Sequence, residues 1–284
     1  MTETAPTGLG RRRRRLSDEE TERRMLDAAL AMVNEAGLTV SLEHISFEDV
    51  IRDAGVARSA VYRRWPYKDL FFSDLLRELA RGTSPAIGGG NPAAVEAVGQ
   101  TILERVDWLK TPELRRALAA EVLRQGALNE FELFHRSVEW RTYFALHATF
   151  LSLPDGELRD EVQTALAGSE RHLLSRIATA YERVTRLVGL RLRPEANATF
   201  ETLAGLVSAT IRGMVIMAPA TPEIATRRVT GNPFGAPEAA EWSEPALGMA
   251  ALALTFLEPD PEVEWTGERL AELTQALESG SWAN

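Results

Sequence analysis

The sequence predicts an all-α protein, with a small N-terminal three-helix helix-turn-helix domain and a larger helical domain behind it. Three observations lead there. Apolar residues recur at helical spacing along most of the chain, recognisable helix starts punctuate it, and no alternating strand pattern stands out. With 45% apolar and 26% charged residues among 284, the chain can bury a sizeable core.

The first helix follows Ser17-Asp18-Glu19-Glu20, a capping box in which Ser17 accepts a first-turn N–H and Glu20 reaches back. Leu26, Ala29, Leu30 and Val33 form its apolar stripe, and Gly37 stops it. A second helix starts at Ser46, with Phe47, Val50, Ile51 and Ala54 on one face, and Gly55 turns the chain. Arg58 to Arg64 forms a short third helix that ends near Trp65-Pro66. A fourth begins near Tyr67-Lys68 and carries Leu70, Phe71, Leu75, Leu76 and Leu79.

Gly82 to Gly90 then reads as a linker. Further helix starts follow at Asn91-Pro92, Thr111-Pro112-Glu113, Asp155-Gly156-Glu157 and Arg193-Pro194-Glu195, because proline suits the first helical position. Residues 219–245, with five prolines, read as a long loop; helix returns over Ala246 to Leu257 and near Glu268 to Glu278. The expected organisation is a disordered basic arm over 1–16, a helix-turn-helix domain over 17–82, and a ligand-sensing and dimerisation domain over 83–284.

Charge is unevenly spread. Residues 1–82 hold fourteen basic and fourteen acidic side chains, so the net −9 falls wholly on the remainder. Within the neutral part the signs are segregated. Arg11, Arg12, Arg13, Arg14 and Arg15 form a block, and Gly55 to Lys68 contains four basic residues and no acidic one. Phosphate binding depends on such local clusters and not on the total.

That second cluster lies in Ser46 to Lys68, SFEDVIRDAGVARSAVYRRWPYK. A helix-turn-helix needs small or apolar residues where two helices cross, a glycine at the turn and an apolar anchor in the second helix. Val50, Ile51 and Ala54 face inward, Gly55 turns, and Val56 and Val61 anchor. The leftover face presents Arg58, Ser59, Tyr62 and Arg63, with Ala60 and Arg64 beside them; arginine reads guanine bidentately, while hydroxyls reach bases or phosphates. Ser46, Tyr67 and Lys68 stand at helix starts, where backbone N–H groups favour a phosphate. A basic helical hairpin of no special function shares the spacing but not the exclusion of acids.

Residues 18–80 resemble the N-terminal domain of the TetR family of transcriptional regulators. The resemblance rests on Asn34-Glu35-Ala36-Gly37, Asp53-Ala54-Gly55-Val56, Val61-Tyr62-Arg63-Arg64-Trp65 and Lys68-Asp69-Leu70-Phe71. It implies that Tyr62 and Trp65 close the recognition helix and that Lys68 meets the DNA backbone. It further implies a homodimeric repressor whose C-terminal domain binds a small effector and resets the spacing of two reading heads on a pseudo-palindromic operator.

The five arginines before the first helix have two readings, an arm that enters the minor groove or a solvated tail that adds nonspecific attraction. In the C-terminal part, Gly205, Ala209 and Gly213 recur every fourth residue in an apolar helix near 196–217, so another helix can approach closely. With the helix near 246–257 it forms the expected homodimer contact, an intrachain packing face being the other reading. Trp108, Phe131, His135, Trp140, Tyr143, Phe144 and His147 concentrate aromatic and imidazole groups that suit an effector pocket, or plain core.

Other classes find little support. No cysteine is present, no phosphate loop, nucleophile elbow or zinc-protease helix occurs, and so no enzyme, cofactor or metal is expected. His135 and Glu139 stand four apart with Glu132 before them, but no second matching motif joins them. The most apolar stretch, Leu203 to Ala220, is interrupted by Arg212, and no apolar segment follows the basic N-terminus, so neither a membrane span nor a secretory signal is expected. The expected place is the cytoplasm. A DNA-binding protein without a sensor role is the alternative function.

Overall fold

The computed structural model describes residues 16–36, 45–82 and 92–283. Gly37, the arginine block and most of the Gly82–Gly90 stretch lie outside the described residues. The chain is all-α. Its first four helices are α1 (Asp18–Ala36), α2 (Phe47–Ala54), α3 (Arg58–Arg64) and α4 (Lys68–Gly82). Four more follow: α5 (Pro92–Leu103), α6 (Pro112–Arg136), α7 (Val138–Leu151) and α8 (Glu157–Leu187). The remainder is α9 (Phe200–Met217), the single turn α10 (Glu223–Thr226), α11 (Glu244–Phe256) and α12 (Gly267–Ser279).

Local chemistry sets the boundaries. Ser17 Oγ accepts from the Glu20 N–H at 3.1 Å, but only half of the expected box forms, because the Glu20 carboxylate turns outward to Arg23 and Arg24. Ser137 interrupts what would be one long helix: its hydroxyl accepts from the Trp140 N–H at 3.2 Å and starts α7 directly after α6. The helix expected from Arg193-Pro194 begins later. Pro194–Ala196 is a single 3-10 turn, Asn197 takes a left-handed φ of 43°, and Thr199 caps α9 through a reciprocal pair with Thr202.

Residues 219–245 are not the loop their prolines suggest. They hold α10 and an antiparallel hairpin of β2 (Arg228–Gly231) and β3 (Ala240–Ser243), in register from Arg228 opposite Ser243 to Gly231 opposite Ala240. Pro233 and Pro237 sit in the hairpin's connection, where no ladder N–H is needed, and Pro245 opens α11. Trp242 drives the pairing by burying its ring edge-on to Phe234, with its indole N–H donating to the Gly231 carbonyl at 3.3 Å. A second ribbon, β1 (Leu190–Leu192) with β4 (Leu257–Pro259), ties the end of α8 to the end of α11. Gly189 precedes it at φ 68°, where any Cβ would lie 2.8 Å from the Trp265 indole nitrogen.

Two apolar clusters form the interior. The smaller joins α1, α2, α3 and α4 around Val33, Val50, Val61, Trp65 and Phe71, and it also takes in Leu146 of α7 and Val162 and Leu166 of α8. The larger joins the later elements around Trp140, Tyr143, Leu173, Ile211 and Met249. Helices α7 and α8 therefore contribute to both. By length and composition α9 could cross a membrane, but Leu203, Val207, Ile211 and Val215 pack inward and Arg212 enters a polar cluster, as suits a core helix.

Candidate nucleic-acid interface and ligand cavity

Ser46 caps α2, its hydroxyl accepting from the Asp49 N–H at 3.3 Å. Gly55 takes φ 63° after α2 and donates its N–H to the Arg52 carbonyl, which turns the chain in the space of one residue. Helix α3 is then seated by two fully buried groups, Val61 and Trp65. Trp65 stands edge-on to Phe71 at 5.1 Å and donates its indole N–H to Asp74 at 2.8 Å.

With that side fixed, Arg58, Ser59, Tyr62, Arg63 and Arg64 are exposed on the other, and Ala60 is half-buried. Tyr67 and Lys68 are exposed at the start of α4, and Lys68 forms no ion pair among the described residues. The residues expected to face DNA from Ser46 to Lys68 are thus exposed, apart from half-buried Ala60; those from Arg11 to Arg15 lie outside the described residues.

Sequence reading missed the acids that hold this surface. Arg58 pairs with Glu48 at 2.7 Å, and the same carboxylate accepts from the Tyr62 hydroxyl at 2.9 Å, which raises the phenol's pKa. Arg63 pairs with Asp18 of α1. Arg64 reaches Glu22 at 3.1 Å and Asp74 at 3.5 Å. Asp74 is a hub, because it also takes Arg77 at 2.8 Å, and Arg77 goes on to Glu161 of α8. Segregation within Gly55–Lys68 is real in sequence, yet α1 and α2 bring carboxylates back alongside it. Exposed pairs of this kind are weak, so phosphate oxygens can exchange for them.

Between α5, α6 and α8 lies a cavity of about 740 Å³, closed by Leu203 of α9, Met249 and Ala253 of α11, and Trp282. None of the seven aromatic and imidazole residues expected to line a pocket reaches it. Phe131, Trp140 and Tyr143 are buried core; Phe144 packs on Trp140 at 5.6 Å, His135 stacks on Phe131 at 5.7 Å, and Trp108 lies under Arg105 at 5.7 Å. Large rings fill space; they do not leave it. What leaves it is a run of small residues, Ala93, Ala94 and Ala97 on α5 facing Ala119, Gly126 and Ala127 on α6, and a Cβ added to Gly126 would meet nothing within 4 Å.

His147 belongs to a buried polar cluster beside that aromatic core. Glu170 accepts from the Tyr143 hydroxyl and from Arg212, the latter at 2.8 Å, and the guanidinium lies over the Trp140 and Tyr143 rings. His147 Nε2 and two nitrogens of Arg212 are buried without a partner among the described residues, and burial lowers the imidazole's pKa. Inside the cavity, burial pushes the Glu130 carboxyl up to about 7 against the attraction of Arg212. Glu130 as a residue is half-buried where it lines the cavity, while its carboxyl is densely surrounded by protein. Tyr181 lines the same wall, its phenol raised by burial and by Glu130.

No protein-family model matches the chain, and no curated protein does. Among solved structures, it is similar to the crystal structure of the reduced form of NemR from E. coli, which aligns over 86% of this chain and 100% of that one at 14% identity with a TM-score of 0.41. A likeness that distant carries no weight for function.

Proposed function

We propose that this protein is a TetR-type transcriptional regulator, a cytoplasmic homodimeric repressor that reads a pseudo-palindromic operator and responds to a small effector, and that it is not an enzyme. In this reading residues 17–82 read DNA, and residues 83–284 sense and dimerise. The observation that carries it is helix α3: Val61 and Trp65 are anchored at zero exposure while Arg58, Ser59, Tyr62 and Arg63 point outward on a helix without a carboxylate. A helix so mounted fits the major groove, and Lys68 and the capped start of α2 flank it as phosphate contacts.

Dimerisation rests on α9. Among the described residues nothing covers its row of Gly205, Ala209 and Gly213, since a Cβ on either glycine meets nothing within 4 Å. Leu206, Ile216 and Met217 beside it are 41%, 60% and 56% exposed. The helix near 246–257, expected to share this contact, instead packs within the chain on α6 and α9, so in this reading a second copy would cover the α9 row alone. The cavity supplies the effector site; the aromatic cluster does not.

Selection of bound duplexes from a random DNA pool tests the reading. A two-fold symmetric consensus is expected, and absence of any sequence preference in low salt would end it. Against the selected operator, Arg63→Ala should cost roughly 1–3 kcal/mol and relax one position, whereas Lys68→Ala should weaken all sequences alike.

A further inference from the structure

Within the effector-site reading of the cavity, on which this inference rests, we propose that the ligand is an organic cation with an apolar body, its charge held by Glu130 and its face by Tyr181. The lumen's size suits a drug-sized molecule, and much of its wall is aliphatic, with Val98, Val122, Val184 and Leu203 among the lining residues. Such walls bind carbon surface but do not choose its charge. The choice falls to the ionisable groups inside.

Those groups are few. Glu130 forms no hydrogen bond and no ion pair among the described residues, and neither does the Tyr181 hydroxyl. Around Glu130 stand Tyr181 and Arg183 of α8, Arg212 of α9, and Glu132 and Arg136 of its own helix; α5 and α11 present only uncharged side chains to the lumen. Glu132 and Arg136 pair with each other at the exposed rim. Arg183 is exposed. Arg212 does not line the cavity, and its charge is engaged by Glu170. Among the described residues, Glu130 is therefore the one carboxyl of the lining that lies away from the rim without an ion pair, with Arg212 acting on it only from behind the wall.

An anion would meet that carboxyl with nothing inside to offset it, and a neutral molecule would gain only its apolar burial. A cation supplies the missing partner beside a largely apolar wall, and the aromatic side chains of Tyr181 and Trp282 line the same lumen. Because the empty carboxyl holds its proton up to about pH 7, a cation that pairs with it must displace that proton. Cation affinity should then rise with pH through neutrality.

The test is titration calorimetry on the full-length protein with three probes of similar shape: tetraphenylphosphonium, tetraphenylborate and neutral triphenylphosphine oxide. Tetraphenylphosphonium should bind at least about tenfold more tightly than tetraphenylborate, the worth of one charge-assisted contact, and release a fraction of a proton at pH 7, read from buffers of different ionisation enthalpy. Glu130→Gln should abolish that preference and that proton release while leaving the neutral probe's affinity unchanged. Gly126→Leu, which grows into the lumen, should weaken the cation. Equal binding of cation and anion, an undiminished cation preference in Glu130→Gln, or no binding by any probe would overturn the inference. Operator release is scored separately: a cation that binds through Glu130 yet leaves operator affinity unchanged would defeat the effector reading and leave the ligand class standing.

Discussion

Replacing Trp65 with phenylalanine probes how the recognition helix is held. The indole is fully buried at the end of α3, edge-on to Phe71, and donates to Asp74 at 2.8 Å. Phenylalanine keeps a ring against Phe71 but loses that donor and part of the volume. A hydrogen bond to a charged group is worth about 1.5–3 kcal/mol, and here the lower end applies, because Asp74 keeps Arg77 at 2.8 Å. The smaller ring adds roughly 1 kcal/mol for the unfilled space. A loss of about 2–3 kcal/mol is therefore expected in urea unfolding followed by circular dichroism. Asp74→Asn and the double variant complete a cycle whose coupling should be about 1–2 kcal/mol. Coupling within about 0.3 kcal/mol of zero would refute the claim that this contact seats the helix.

In the proposed DNA-reading role of α3, neutralising the acids beside it should strengthen operator binding. Glu48→Gln frees Arg58 and Tyr62 and Asp18→Asn frees Arg63, so each should tighten binding roughly twofold to fivefold in a fluorescence titration, with little change in melting temperature. Ala209→Arg, placed on the α9 row, should convert the proposed dimer to monomer in sedimentation while the melting profile of the monomer survives. Glu130 binds its proton more tightly folded than unfolded, so stability should fall as pH rises from 4.5 to about 7 and then level off; Glu130→Gln should flatten that part of the profile in pH-jump melts.

Much of the fold was legible because helix signals are local. Ser46, Gly55, Val61 and Trp65 act within a few residues of themselves, and their spacing alone places α2, the turn and α3. The hairpin at Arg228–Ser243 escaped notice because its two strands are only four residues each and prolines crowd their connection, while the burial of Trp242 that drives it is a tertiary event. Acidic neighbours such as Asp18 lie forty-five residues from the arginine they hold, beyond any window. The cavity lies away from the aromatic cluster for a physical reason. Aromatic density marks where packing is dense, whereas a void arises where small residues face each other, and Gly126 in the middle of a 25-residue helix was the available sign.

One more property follows from α7. Its first half is embedded among the aromatic rings of the larger cluster, and its last turns are embedded beside α1 and α4 in the smaller one. Fourteen residues make a rod about 21 Å long, so a tilt of only about 5° at the inner end swings the outer end by nearly 2 Å. Close packing at both ends denies the rod any slack in which such a swing could be lost. In the proposed two-fold dimer, the same swing would reach both N-terminal units at once.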